Sequence, residues 1–154
     1  MDYEIKRDYY LEQLIKRKNN GLIKVVTGIR RCGKSFLLRT LYKKYLLETG
    51  VDESHIIEMA FDLFDNIDYR DPKTFYPWAK EQIKDEGKYY FLLDEVQLLK
   101  EFVSVLNGLA DQKNCDVYVT GSNAKFLSKD IATEFGGRGD EIHMYPLSYL
   151  EFMT

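Results

Sequence analysis

Residues Gly28–Ser35 read GIRRCGKS and decide the fold of this chain. They match the pattern GxxxxGK followed by Ser or Thr, in which two glycines and a lysine stand at fixed spacing. A short apolar run, Ile23–Thr27, comes directly before them, and an amphipathic segment, Lys34–Glu48, opens at their end. A strand, this loop and a helix in that order indicate a P-loop, whose backbone N–H groups surround the phosphates of a nucleotide.

Each part of this predicted phosphate loop has a physical reason. Gly28 and Gly33 allow tight turns that aim N–H groups inward, and Lys34 is expected to bridge the β- and γ-phosphates of ATP. The Ser35 hydroxyl is expected to bind Mg²⁺, because this small cation prefers oxygen ligands. The other residues predicted to contact the nucleotide are Ile29, Arg30, Arg31, Cys32 and Phe36.

The variable positions of the loop leave alternatives open. Arg30 and Arg31 either contact phosphate or a neighbouring subunit, or are solvated or paired with an acid. Cys32 is either a loop residue without a function of its own or a thiol under redox control, and bound nucleotide should shield it from reagents in either case. The pattern alone does not decide between these roles.

Two adjacent acids end the next strongly apolar run. Asp94 and Glu95 directly follow Tyr89–Leu93. Adjacent carboxylates at the end of a buried strand are costly to desolvate, unless a cation neutralises one and the other faces water. We therefore expect Asp94 to belong to the Mg²⁺ shell, through a water molecule, and Glu95 to polarise the water that attacks ATP. The alternative is an acidic turn without catalytic function.

Polar residues also follow the next strand-like run along the chain. Cys115–Thr120 is followed by Gly121, Ser122 and Asn123. Ser122 and Asn123 would lie beside the γ-phosphate, where a polar side chain can respond to its loss, so both are candidate sensors. A plain turn, in which one of them caps the next helix, is the alternative.

Apolar periodicity alternates between strand-like and helix-like blocks along the whole chain, which predicts an α/β fold. The predicted strands are Ile23–Thr27, His55–Phe61, Tyr89–Leu93, Cys115–Thr120 and Glu141–Tyr145. The predicted helices cover residues 3–18, 34–48, 72–85, 100–112 and 124–134. This alternation favours a mainly parallel sheet with helices on both faces and ligands at the carboxyl ends of the strands.

Bulk composition limits the classes of function. The chain has 154 residues, of which 45% are hydrophobic, and a formal net charge of −3. These values suit one globular domain and do not support nucleic-acid binding by these residues alone. Apolar runs too short to cross a membrane, and a polar Met1–Tyr10, predict a cytoplasmic protein without membrane contact. Cys32 and Cys115 lack the spacing of a disulfide framework or a zinc site.

Four phrases of the sequence resemble one family. They are TGIRRCGKS at residues 27–35, LLDEVQ at 92–97, VTGS at 119–122, and PLSYLEF at 146–152 after Gly137-Arg138. These phrases are similar to those of the predicted AAA-type ATPases of archaea and bacteria, and the resemblance runs from about Arg7 to the end of the chain. It implies a RecA-like or AAA-like three-layer sandwich with a five-stranded sheet in the order 5-1-4-3-2. It also implies that residues 1–154 are an excised ATPase core, normally followed by a domain that resembles a restriction endonuclease.

The same resemblance singles out Arg138. This residue lies between the helix that follows the predicted sensor and the last predicted strand, where AAA-type ATPases carry an arginine that reaches into a neighbouring subunit. The resemblance therefore implies a homo-oligomer in which Arg138 neutralises charge on the γ-phosphate. The alternative is a plain turn in which Arg138 pairs with Asp140 or Glu141.

The function predicted from these motifs is the binding and hydrolysis of Mg-ATP, as a switch or motor for a missing domain or an oligomer. A small-molecule kinase would use the same loop, but Glu95 favours water as the acceptor. A nucleotide-binding module with little turnover is the other alternative, and the intact acid pair argues against it. The adenine contacts are not identified, although Arg7, Tyr9 and Tyr10 are candidates.

Overall fold

The computed structural model describes residues 2–28, 33–122 and 135–145. Its helices are α1 (Asp2–Lys16), α2 (Lys34–Phe36), α3 (Lys43–Glu48), α4 (Pro72–Glu81) and α5 (Phe102–Ala110). A π-helical stretch, Leu37–Tyr42, joins α2 to α3 without a break. The strands are β1 (Ile23–Thr27), β2 (Ile56–Ala60), β3 (Tyr89–Asp94), β4 (Cys115–Gly121) and β5 (Gly139–His143). The predicted helix 124–134 and the PLSYLEF phrase lie outside the described residues.

All five strands run parallel in one sheet, in the order β2-β3-β4-β1-β5. This is the predicted order read from the other edge, so the predicted sheet is confirmed. Strands β1, β3 and β4 are buried along their whole length. Helices on both faces of a parallel sheet cause this burial, and they explain why the strands appear in the sequence as nearly continuous apolar runs.

Two apolar layers pack against the sheet and make the fold a three-layer sandwich, as predicted. On one face, Phe75 of α4 and Leu106 of α5 belong to a cluster with Phe91 of β3. On the other face, Leu14 of α1 and Leu38 after α2 belong to a cluster with alternate strand residues. No helix in the described part of the chain is both long and apolar enough to cross a bilayer.

The last strand begins and ends earlier than its side chains predict. Alternation predicts Glu141–Tyr145, whereas β5 is Gly139–His143. The reason is its pairing with β1, in which Ile23 lies opposite Gly139, because strand bounds depend on the neighbouring strand more than on intrinsic preference. A turn of 3₁₀ helix at Phe64–Arg70 is also absent from the prediction.

A buried ion pair joins the amino ends of β1 and β4. Lys24 bonds directly to Asp116, and their side chains are 0% and 3% exposed. Asp116 also accepts hydrogen bonds from the Asn19 N–H and the Tyr118 hydroxyl. Burial lowers the pKa of Lys24, and the Asp116 charge opposes that shift. The pair fixes β1 beside β4, the strands that lead into the phosphate loop and Ser122.

Replacing Asp116 with alanine is therefore expected to destabilise the fold by about 3–5 kcal/mol, because Lys24 would remain as an uncompensated buried charge. Urea denaturation measures the free energy of unfolding. Asp111→Ala is the matched control, since the Asp111 side chain is 60% exposed in its ion pair with Arg138, and its loss should cost less than about 1 kcal/mol. Equal losses in the two variants would contradict this role of the buried pair.

Candidate active site

The carboxyl ends of three neighbouring strands bring the predicted motifs together. Strand β4 lies between β1 and β3, and Thr27 of β1 is opposite Gly121 of β4. Asp94 is the last residue of β3. Because parallel strands end at the same edge of their sheet, the phosphate loop, Ser122 and Asp94 lie side by side there.

The two glycines that bound the phosphate loop both have positive φ angles. These angles are 145° for Gly28 and 96° for Gly33, in a region that residues with side chains rarely adopt. The Leu37 N–H donates to the Gly33 carbonyl at 2.9 Å, so Gly33 begins the helical stretch that contains α2. Four residues predicted to bind nucleotide, Ile29, Arg30, Arg31 and Cys32, lie outside the described residues.

Lys34 is buried at the start of α2, where its side chain folds back over the loop. The residue is 4% exposed, and its Nζ donates to the Gly28 carbonyl oxygen at 2.9 Å. Its ammonium charge adds to the positive potential of about half a charge at the amino end of the helix. Ser35 and Phe36 follow in α2 and are exposed. This end of the sheet is therefore electrostatically suited to an anion.

Asp94 is a buried carboxylate on the side of the sheet that α2 covers. It is 4% exposed, and alternation along β3 puts it on the same face as Leu92, which packs in the cluster beneath α2 and α3. Among the described residues, its side chain accepts a hydrogen bond from the Thr120 hydroxyl and forms no ion pair. A buried carboxylate with one neutral donor suits a position that a cation completes.

Glu95 leaves β3 in a left-handed backbone conformation, with a φ angle of 55°. This conformation is uncommon for a residue with a side chain, and hydrogen bonds hold it in place. Its N–H donates to Thr120 Oγ1 at 2.8 Å. Its carboxylate Oε1 accepts from the Ser122 hydroxyl at 2.7 Å and from Gln97 Nε2 at 2.8 Å. In residues 2–28, 33–122 and 135–145, no donor bonds to Oε2.

Thr120 and Gln97 are site residues that the sequence analysis does not single out. The Thr120 hydroxyl contacts both acids, since it donates to Asp94 and accepts from the Glu95 N–H. Its position two residues after Tyr118 puts it on the Asp94 face by strand alternation, and this signal is visible in the sequence. Gln97 shows no comparable signal beyond its place at the end of LLDEVQ.

The two predicted sensors have different outcomes. Ser122 lies at the end of β4 and contacts the Glu95 carboxylate, so it belongs to the same cluster of side chains. Asn123 lies outside the described residues. The alternative for Ser122, a helix cap, would use the same hydroxyl that here donates to Glu95.

Arg138 lies at the opposite end of the sheet, where the strands begin. Its carbonyl accepts from the N–H of Ile23, the first residue of β1, whereas the phosphate loop follows the last. The length of β1 separates these ends by about 13 Å. The Arg138 guanidinium pairs with Asp111 and donates to the Asn107 carbonyl at 3.2 Å. The predicted alternative, a pair with Asp140 or Glu141, is therefore wrong.

A group of aromatic residues lies beside the loop at the end of β5. The Tyr145 N–H donates to the Tyr10 hydroxyl at 3.1 Å, and the Met144 N–H donates to the Thr27 carbonyl at 2.8 Å. Tyr9 packs edge-on against Tyr10 and is 58% exposed. Tyr9 and Tyr10, two of the three sequence candidates for contact with adenine, thus lie on a helix that reaches this end of the sheet. The side chain of the third, Arg7, lies outside the described part of the chain.

The oxygen ligands at this site suit Mg²⁺ better than a metal ion that is bound entirely by protein side chains. The described residues contain no group of three or more His, Cys, Asp or Glu side chains placed to hold a metal. Mg²⁺ usually keeps several waters and takes one or two protein oxygens together with substrate phosphates. The exposed Ser35 hydroxyl and the buried Asp94 carboxylate are oxygens of this kind.

Comparison with known proteins gives a family and a fold. A family model described as an AAA domain matches residues 20–153. An uncharacterized protein of Haemophilus influenzae is 39% identical over 150 residues, which cover 97% of this chain and 37% of the relative. The chain thus spans little more than a third of that relative's length.

Two solved structures share the fold at low sequence identity. C. elegans PCH-2 superposes with a TM-score of 0.59 and 17% identity, over 94% of this chain and 42% of that one. AMPPCP-bound DnaA from Aquifex aeolicus superposes with a TM-score of 0.52 and 15% identity, over 87% of this chain and 43% of that one. At these identities the likeness concerns the arrangement of strands and helices.

Proposed function

Because this chain belongs to the AAA domain family, we propose that it binds Mg-ATP on the loop Gly28–Phe36 and hydrolyses the γ-phosphate. The observation that carries the proposal is the cluster at the carboxyl edge of the sheet. There, a buried lysine comes from the phosphate loop, and a buried aspartate and a glutamate come from the acid pair, the glutamate with a second carboxylate oxygen to which no described residue donates. Each supplies a different requirement of phosphoryl transfer to water.

Lys34 and the loop N–H groups bind the phosphates in this proposal. Ser35 and Asp94 hold the magnesium ion, Asp94 through a water molecule. When bound, the ion supplies positive charge that offsets the negative charge of the phosphates. The buried Thr120 hydroxyl fixes the Asp94 carboxylate in this role, because it donates to one of its oxygens.

Glu95 acts as the general base in this proposal. Oε1 is occupied by two donors, so Oε2 is the oxygen that accepts a proton from the attacking water. As the water oxygen bonds to the γ-phosphorus, the bond to the β-phosphate oxygen breaks, and ADP and phosphate leave. Ser122 touches the same carboxylate and is placed to sense the γ-phosphate through it.

A phosphate count separates this function from the two alternatives. Hydrolysis releases several phosphates per chain without an added acceptor. A small-molecule kinase would release little free phosphate, and an added acceptor would speed ADP formation because the phosphoryl group passes to that acceptor. A binding module would release less than one phosphate per bound ATP. Among the described residues no donor bonds to Glu95 Oε2, and this oxygen could accept a proton from water, which supports hydrolysis as the proposed function.

We further propose that hydrolysis drives a switch or motor whose output lies outside residues 1–154, in a further domain or an oligomer. The resemblance suggests a domain like a restriction endonuclease for that output. The relative from Haemophilus influenzae, of which this chain covers 37%, leaves room for such a domain. In this proposal, that further domain or oligomer determines the substrate and partners of the whole protein.

Arg138 is proposed to act on ATP bound by a neighbouring copy. Arg138 lies beside the start of β1, and one strand length of about 13 Å separates that start from the end that leads into its own phosphate loop. This position favours action on the site of a neighbouring copy. The Asp111 pair holds the guanidinium at the surface, where the Arg138 side chain is 45% exposed. An arginine that reaches the γ-phosphate in this way contributes about 10³–10⁵ in rate.

Mixing two inactive variants tests this role of Arg138. Arg138→Ala protein keeps an intact loop, and Lys34→Ala protein keeps an intact arginine, so a mixture should recover ATPase activity that neither shows alone. Asp111→Asn is the control for the local ion pair and should keep its activity, because the arginine remains. Full activity of Arg138→Ala protein alone, at every concentration, would contradict the proposal.

A further inference from the structure

Within the described part of the chain, the side chain of Gln97 has one hydrogen bond, and its partner is Glu95. The amide Nε2 donates to Glu95 Oε1 at 2.8 Å. The amide Oε1 of Gln97 is buried and accepts no hydrogen bond in the described part of the chain. A buried acceptor without a donor is unfavourable, and the opposite amide orientation would set a carbonyl oxygen against a carboxylate. The contact with Glu95 therefore determines how this side chain is placed.

The backbone between and after the two residues is anchored in the core. Glu95 has a φ angle of 55°, and a single turn of 3₁₀ helix, Val96–Leu98, follows it. Val96 and Leu99 are 0% and 1% exposed and belong to the core beneath α5. These anchors bring Gln97 back toward the carboxylate two residues before it, so its amide is a fixed donor.

A second donor approaches the same oxygen from another strand. The Ser122 hydroxyl, at the end of β4, donates to Glu95 Oε1 at 2.7 Å. The carboxylate is therefore held from the turn after β3 and from β4 at once. A carboxylate oxygen with two donors cannot also readily accept a proton, and no residue that the structure describes donates to Oε2, so Oε2 is the oxygen left for that proton.

We propose that Gln97 is a positioning residue for Glu95. Together with Ser122 it fixes Oε1 of the carboxylate, so that Oε2 alone faces the attacking water. This inference rests on the proposed ATP hydrolysis. It predicts that loss of the Gln97 donor lowers the rate of the chemical step and leaves ATP binding intact, because Gln97 touches the base and not the nucleotide.

The test replaces Gln97 with methionine, which has a similar length and no donor. In single-turnover reactions, the rate constant of the hydrolysis step should fall about 10-fold, because small misplacements of a reacting group cost this much or more. The value of kcat should fall with it wherever this step limits turnover. The Kd for ATP should stay within about 2-fold of the wild-type value. Gln82→Met is the matched control, since Gln82 is also half-buried and donates one hydrogen bond, at 3.2 Å to the Trp78 carbonyl; its kcat should not change.

The same substitution made in Glu95→Ala protein distinguishes a positioning role of Gln97 from a structural one. In Glu95→Ala protein, adding Gln97→Met should not lower the residual rate further, because there is no carboxylate left to position. A further loss in that background would overturn the inference, as would an unchanged or raised kcat in Gln97→Met protein. If the methionine variant does not fold, Gln97→Glu decides, because a like charge beside Glu95 should lower kcat at least as much.

The rate of the wild-type reaction distinguishes failure of the proposed function from failure of the positioning role. If wild-type protein releases no phosphate, the proposed function fails, and Gln97 has no reaction to serve. If wild-type protein hydrolyses ATP and Gln97→Met protein matches it, hydrolysis stands and the positioning role alone is wrong.

Discussion

Lys34→Ala protein is expected to lose ATP binding, with a Kd raised at least about 100-fold. Lys34 is the buried cation at the start of α2, with Nζ 2.9 Å from the Gly28 carbonyl. Charge-assisted contacts between an ammonium and phosphate oxygens are among the strongest that a protein forms, and alanine leaves none. Fluorescent-nucleotide titration or calorimetry measures the affinity.

Lys88→Ala is the matched control for this variant. Lys88 Nζ also donates to a backbone carbonyl, that of Lys113, at 3.1 Å. Lys88, however, lies directly before β3, at the end of the sheet where the strands begin and away from the phosphate loop. Its removal should leave the Kd for ATP unchanged. Equal affinities of Lys34→Ala and wild-type protein would remove the phosphate loop as the nucleotide site.

Glu95→Gln protein is expected to bind ATP normally and to hydrolyse it at least about 100-fold more slowly, because an amide cannot accept the proton of water. The substitution keeps the size of the side chain and the oxygen that Ser122 reaches. Phosphate release in a multiple-turnover assay gives the rate, and the titration used for Lys34 gives the affinity.

Glu101→Gln is the matched control for this variant. It also removes a carboxylate charge from a residue with a left-handed backbone conformation. Glu101 has a φ angle of 53°, nearly that of Glu95, and is exposed at the start of α5. Its amide variant should keep the wild-type rate. Turnover of Glu95→Gln within a few-fold of wild-type would make Glu95 a structural residue and require a different base.

The ends of the motif strands could be predicted because local signals agree with one another, whereas the family resemblance implied the order of the sheet. The spacing of Gly28, Gly33 and Lys34 follows a strand and opens a helix, and two acids follow a buried apolar run. In a parallel sheet these features all follow the carboxyl ends of strands, which lie at one end of the sheet. The structure has that arrangement.

The contacts that the sequence does not reveal join residues far apart in the chain. Arg138 pairs with Asp111 and not with its acidic neighbours, because its guanidinium reaches the end of α5, where Asn107 and Asp111 lie. Thr120 and Ser122 reach the two acids from a different strand, 26 and 27 residues away. Such pairings depend on register and on the twist of the sheet, which periodicity along one strand does not specify.

The measurement that tests the central claim most directly is the number of phosphates released per chain by purified wild-type protein with excess Mg-ATP. Lys34→Ala protein, prepared in the same way, reports any contaminating ATPase. Hydrolysis at the Asp94–Glu95 site predicts many phosphates per wild-type chain, and background release from Lys34→Ala and Glu95→Gln protein. Bound ATP with less than one phosphate released per wild-type chain, or equal release by all three proteins, would contradict it.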